Sequence, residues 1–87
     1  DWSENTEASF FDKETRRVIQ KAVDLLPDKE KVVFLLRDVE GLTTEKVSEI
    51  LEITAPAIKS RLHRARLFLR KKLGSYFEGY KIRKERK

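Results

Sequence analysis

The sequence predicts an all-α fold, a small four-helix domain with a helix-turn-helix at its carboxyl-terminal end. Three observations predict it. Apolar residues recur at helical spacing in successive stretches separated by capping residues, proline or glycine. The third stretch is short, the fourth is long, and only about three residues join them, which is the pattern of a helix-turn-helix. The fourth stretch runs from Ala57 to Leu73 without proline or glycine, and from Ile53 to Leu73 without an acid.

Taken in order, Asp1 to Ser9 is polar and acidic with no apolar period, which reads as a linker. Phe11, Val18, Ile19, Ala22, Val23 and Leu26 then mark a first helix, with Asp12 as its N-cap and Pro27 as its stop. Asp28 is expected to cap a second helix over about 29–40. Its middle, Val32 to Leu36, is short and β-branched as a strand would be, but Arg37-Asp38-Val39-Glu40 followed by Gly41 fits a helix with a glycine C-cap better. A helix apolar on most sides belongs at the centre of a bundle. The third helix begins at Thr43 or Thr44, with Leu42 stapling its start and Val47, Ile50 and Leu51 on its buried face. Thr54 caps the fourth helix, Pro56 sits in its first turn where a missing N–H does no harm, and Gly74 is expected to end it. Ile53 should plug the angle of the turn. The expected organisation is a linker over 1–10, a helix-turn-helix domain over 11–74 and a basic tail over 75–87.

Composition narrows the function. With 87 residues the chain builds one modest core. It has no cysteine and one histidine, His63, which excludes a disulfide framework and a thiolate or histidine metal site, and no cofactor is expected. The absence of cysteine suits the cytoplasm. No apolar run approaches the roughly 18 residues that span a bilayer, and no signal peptide is visible. The chain opens on Asp1, so a piece of a longer protein is expected. The net charge of +5 is divided unevenly. Residues 1–52 carry thirteen acids and eight bases, whereas residues 53–87 carry two acids and twelve bases. A basic segment beside an acidic one is an electrostatic footprint for a polyanion.

The fourth helix gives that footprint a shape. At about 100° per residue, Ile58, Leu62, Ala65, Leu69 and Leu73 form one stripe for the core. Ser60, His63, Arg64, Leu67 and Lys71 lie opposite, with Lys59, Arg61, Arg66 and Arg70 on the flanks. A solvated face mixes both signs for i,i+4 pairing; this one carries a single sign. The major groove of DNA admits one helix, and the first turns of a recognition helix reach the base edges. Lys59, Ser60, His63 and Arg64 occupy those turns and are the expected base contacts. Arg61 and Arg66 point sideways, toward phosphates. Thr43 and Thr44, at the start of the preceding helix, supply hydroxyls and N–H groups for another phosphate. No Gly-rich phosphate loop or acid pair supports an enzyme.

These residues carry a family resemblance. Leu26 to Arg37 resembles the opening of the fourth domain of extracytoplasmic-function sigma factors. The stretch Asp38 to Leu51 is similar to that family's first helix-turn-helix helix, and Ile58-Lys59-Ser60-Arg61-Leu62-His63-Arg64-Ala65-Arg66 resembles its recognition helix. The match covers about residues 24–73. The resemblance implies four helices that dock on the −35 element of double-stranded promoter DNA, attachment to the β flap of RNA polymerase core, and a partner anti-sigma factor. It also places the positions of Lys59, Ser60, His63 and Arg64 against the bases. A monomer is expected. Two departures stand out. Glu52 occupies the turn position where the family usually has glycine, so a left-handed conformation would cost energy or the turn would differ. Ala55-Pro56-Ala57 replaces a more usual Gly-Thr pair, removing a hydroxyl. Lys46, three residues after Thr43, precludes an acidic capping box.

Two other readings share the same residues. In one, the domain is mainly a protein-interaction module, and Leu67 with Phe68 forms an apolar patch for a partner. In the other it is the helix-turn-helix of a response regulator, which shares the Gly-Leu-Thr and Ile-Lys-Ser pattern but usually lacks the dense arginine run. Tyr76, Phe77 and Tyr80 either fold back on the core or mark a partner surface, and Trp2 reads as linker.

Overall fold

The computed structural model describes residues 12–85 and, beyond Gly74, the side chains of Tyr76 and Glu78 only. Trp2 and the proposed linker, and the side chains of Phe77 and Tyr80, lie outside the described residues. Among the described residues there are four helices: α1 (Lys13–Asp24), α2 (Asp28–Phe34), α3 (Thr44–Leu51) and α4 (Ala55–Glu85). A π-wound turn, Leu35–Val39, extends α2.

Helix α1 begins as its sequence dictates. Asp12 is extended, and its carboxylate accepts from the Thr15 N–H at 2.8 Å. The helix closes through Leu25 and Leu26 onto the carbonyls of the last turn, and Pro27 prevents continuation. Its buried side carries Thr15, Ala22 and Val23, followed by Leu26.

Helix α2 corrects two expectations. Asp28 is not the cap. Pro27 holds that position, its carbonyl accepting from Lys31 N at 2.8 Å, and Asp28 is the first helical residue, where its charge meets the positive end of the helix dipole. Regular winding also stops at Phe34 rather than continuing to Glu40. The Glu40 N–H reaches the Leu35 carbonyl at 2.9 Å, and the Leu42 N–H reaches that of Leu36 at 3.0 Å. These are wider loops than an α-helix or an ordinary glycine cap makes. Gly41 reverses the chain with φ +77°, as its position predicted.

The core has two parts. In the first, Ala22, Val23 and Leu26 meet Ala65 and Leu69 of α4, with Ile19, Leu35, Phe68 and Leu73 around them. In the second, Val33 meets Val47, Ile58 and Leu62, with Leu36, Leu42, Leu51 and Ile53 around them. Phe34 packs against both. Helix α2 is therefore the central element, as its nearly continuous apolar run required. Within α3, Val47 is buried and Leu51 partly so, but Ile50 is 48% exposed, contrary to expectation. It lies on the opposite shoulder of Val47 from Leu51, and in a two-turn helix only one shoulder reaches the core.

The largest departure concerns Gly74. It does not end the fourth helix, which runs on through it to Glu85. A glycine inside a helix costs only about 1 kcal/mol. Here a tertiary contact favours continuation: the Tyr76 hydroxyl lies 2.7 Å from Thr15 Oγ1, tying α4 to the fully buried Thr15 in the first turn of α1.

Candidate nucleic-acid interface

The corner between α3 and α4 is built by side chains closing on backbone. Thr43 is extended, and its hydroxyl accepts from Lys46 N at 3.1 Å, so Thr43 caps α3 without an acidic partner. Helix α3 ends at Glu52, whose φ of 57° is left-handed. The turn thus keeps the glycine-type conformation, and Glu52 bears its cost, about 1–2 kcal/mol for an L-residue. Ser48 helps to hold it. The Ser48 hydroxyl donates to the Ile53 carbonyl, while the Ile53 N–H returns to the Ser48 carbonyl at 3.3 Å. Sequence reasoning did not single out Ser48, because a serine inside a short helix carries no distinctive signal. Ile53 packs onto the second core, as a plug for the corner should. Thr54 then caps α4, its hydroxyl accepting from Ala57 N at 3.3 Å.

This corner fixes the rotation of α4. Ile58, Leu62, Ala65 and Leu69 are buried and Leu73 partly so, which is the stripe read from the sequence. Lys59, Ser60, His63 and Arg64 are all exposed on the first turns, as are Leu67, Arg70 and Lys71 further along. Arg61 is half-buried. At the head of α3, Thr43 is exposed and Thr44 half-buried.

The charge on this face is less one-sided than the helix alone suggested. Two acids arrive from α2 and its π-wound extension. Arg64 Nε donates to Glu30 Oε2 at 3.0 Å, and Arg64 Nη1 donates to Ser60 Oγ at 3.0 Å. Arg66 forms a two-pronged pair with Asp38, Nε to Oδ2 at 2.9 Å and Nη2 to Oδ1 at 2.7 Å. The hydrogen bond from Arg64 holds the Glu30 carboxyl below its ordinary value. Desolvation opposes it, and the nearby charges of Arg64 and Arg61 assist it. The hydrogen bonds to Asp38 hold the Arg66 guanidinium above its ordinary value. Neither acid was linked to the site by the sequence, since each lies 34 or 28 residues from its arginine. The structure therefore joins Ser60 to Arg64 and ties Arg66 back to Asp38. It leaves Lys59 and His63 exposed beside Ser60 and Arg64.

Farther along, Leu67 is 36% exposed and lines an open hollow with Arg64, Phe68 and Lys71. Lys72 Nζ lies 5.6 Å from the centre of the Phe68 ring, within cation–π range. Among the described residues there is no cluster of three or more metal-ligating side chains, and no helix is long and apolar enough to cross a membrane.

Comparison with known proteins places this geometry in context. A family model described as Sigma-70, region 4, matches residues 16–69. Among curated proteins, the chain is 38% identical over 60 residues to the ECF RNA polymerase sigma factor SigW of Bacillus subtilis, covering 69% of this chain and 32% of that protein. It is 32% identical over 72 residues to the ECF RNA polymerase sigma factor SigE of Mycolicibacterium smegmatis, covering 83% and 28% respectively. With the ECF RNA polymerase sigma-E factor of Haemophilus influenzae it shares 30% identity over 67 residues, 77% of this chain and 35% of that one. The chain thus spans about a third of the length of the curated relatives it matches. No solved structure matches it.

Proposed function

The chain belongs to the sigma-70 region 4 family, and from that membership we propose that it reads the −35 element of double-stranded promoter DNA and thereby directs RNA polymerase to initiate transcription. The observation that supports this reading is the rotation of α4. Lys59, Ser60, His63 and Arg64 face solvent on the first turns, while Ile58 and Leu62 anchor the helix from behind. Inserted in a major groove, the lysine and arginine donate to guanine O6 and N7, Ser60 donates or accepts, and His63 donates or packs. Thr43, Thr44 and Arg61 hold phosphates at the groove edges. Arg66 joins them through Nη1, which its pair with Asp38 leaves aside.

In this reading residues 11–74 form the DNA-binding domain and 75–87 a basic extension. The chain acts in the cytoplasm as a monomer without catalytic activity of its own. It attaches to the β flap of RNA polymerase core, and an anti-sigma factor regulates it. A second reading, in which the same face chiefly binds a protein, is favoured by exposed Leu67 in its hollow between Arg64 and Lys71.

Fluorescence anisotropy with a duplex selected from a random pool tests the proposal. If about five phosphates are neutralised, log affinity against log salt should fall with a slope of about −4 to −5. Arg64→Ala should cost about 1–3 kcal/mol on the selected duplex and less on random DNA. Equal loss on both removes Arg64 from the base contacts, and no binding at low salt removes the DNA reading.

A further inference from the structure

We propose that Glu30 is a positioning residue for sequence reading, its carboxylate and the Ser60 hydroxyl together fixing the Arg64 guanidinium for one base. This rests on the DNA-reading role proposed above. The argument begins from the two ion pairs that α2 and its extension make with α4, which differ in form. Asp38 takes two donors of Arg66 at 2.9 and 2.7 Å. Glu30 takes one donor of Arg64, Nε, and Ser60 takes one from Nη1. Both hydrogens of Arg64 Nη2 remain outside these two bonds. Two fixed contacts on different nitrogens define the plane of a guanidinium, and a planar fork is what distinguishes arginine from a point charge at a guanine edge.

Exposure assigns the roles within the pair. The Glu30 side chain is 15% exposed and that of Arg64 is 55% exposed. The acceptor is seated in the protein and the donor head stands outside it. Glu30 lies in the first turn of α2, whose Val33 is wholly buried in the core that also holds Ile58 and Leu62, so the carboxylate is placed by the same packing that places the recognition helix. A free arginine has many rotamers to lose when it is fixed on a base. Ordering it before binding reduces that cost on DNA, but only for the base that fits the fixed plane. Glu30 also subtracts one charge from the face, which weakens attraction to every sequence alike. The two effects combine to favour discrimination over raw affinity.

The test compares affinity ratios, because a uniform change in charge or in folded fraction cancels from a ratio. The 87-residue chain is titrated with its selected duplex and with every single-base variant of it. Arg64→Ala first identifies the base pair that Arg64 reads, as the position at which discrimination collapses. Glu30→Ala should then lower discrimination at that same position by about fivefold, the upper end for an ion pair whose arginine is half exposed, and leave ratios at other positions unchanged. Glu30→Gln, whose amide oxygen still accepts from Nε, should retain part of it. On an Arg64→Lys background Glu30→Ala should change no ratio. If Glu30→Ala tightens or weakens binding to all duplexes equally, or changes nothing, the positioning role is overturned and Glu30 is only a counter-charge. If Arg64→Ala itself collapses no position, the base-reading assignment fails first and the proposal goes with it.

Discussion

The two halves of α4 use one apolar stripe for different purposes. Its opening turns, through Ile58 and Leu62, are held by α2 and α3 in the second core, and their outer side carries the candidate base contacts. Its later turns, through Ala65 and Leu69, are held by α1 in the first core, and Tyr76 adds a hydrogen bond to Thr15. The earlier half is aimed, and the later half is anchored. A recognition helix needs both, because the groove fixes where its first turns lie and something else must resist the torque.

Paired substitutions break this comparison most sharply. Ile58→Ala and Leu69→Ala should each cost about 2–4 kcal/mol in urea unfolding, with Ile58 the larger because it is fully buried. Their effects on DNA should diverge. Under conditions where both variants remain folded, Ile58→Ala should lose affinity for the selected duplex and Leu69→Ala should retain it with the salt slope unchanged. Equal loss of affinity would mean that the halves are not separable. Next in size, Thr15→Val should lower stability by about 0.5–1.5 kcal/mol by removing the hydroxyl that meets Tyr76. Thermal unfolding would register it, and anisotropy with DNA should not.

Smaller effects sharpen the account of the corner. Glu52→Gly should raise stability by up to about 1 kcal/mol, because relief of the left-handed backbone outweighs glycine's extra unfolded-state entropy. A lower melting temperature would show that Glu52 contributes something beyond its backbone conformation. The smallest effect is that of pH on the Glu30–Arg64 pair, worth at most about 1 kcal/mol since the arginine is half exposed. The folded carboxyl titrates below its ordinary value. Its contribution is therefore complete above the unfolded glutamate value of about 4.3 and disappears as pH falls through the lower folded value. Glu30→Gln should flatten the acid limb of the stability curve in that window. An unchanged limb would remove the pair from the account.

Much of this architecture was legible because it rests on local rules. Asp12, Thr43 and Thr54 cap the helices the sequence assigned to them, Gly41 takes its positive φ, and the stripe from Ile58 to Leu69 is buried at the expected period. Even the cost at Glu52 could be foreseen from its place in the turn. What escaped depends on residues distant in sequence. Gly74 resembles a helix stop until Tyr76 meets Thr15, 61 residues away. Arg64 and Arg66 look uncompensated until Glu30 and Asp38 are folded beside them. The π-wound turn leaves no mark in the run Leu35 to Val39, whose residue types suit an ordinary helix equally well. Ile50 has the period of a buried residue, and only the brevity of α3 leaves it outside.

Phe34 links the halves of α4 from below, since its ring belongs to both clusters of side chains. A domain this small with two independent clusters could come apart in stages, α1 peeling away while the corner persisted. A shared ring removes that freedom, because neither cluster can loosen without uncovering a surface of the other's keystone. Amide protons in the opening turns of α4 and in α1 should then exchange through the same global opening, so that the chain answers heat or denaturant as one cooperative unit.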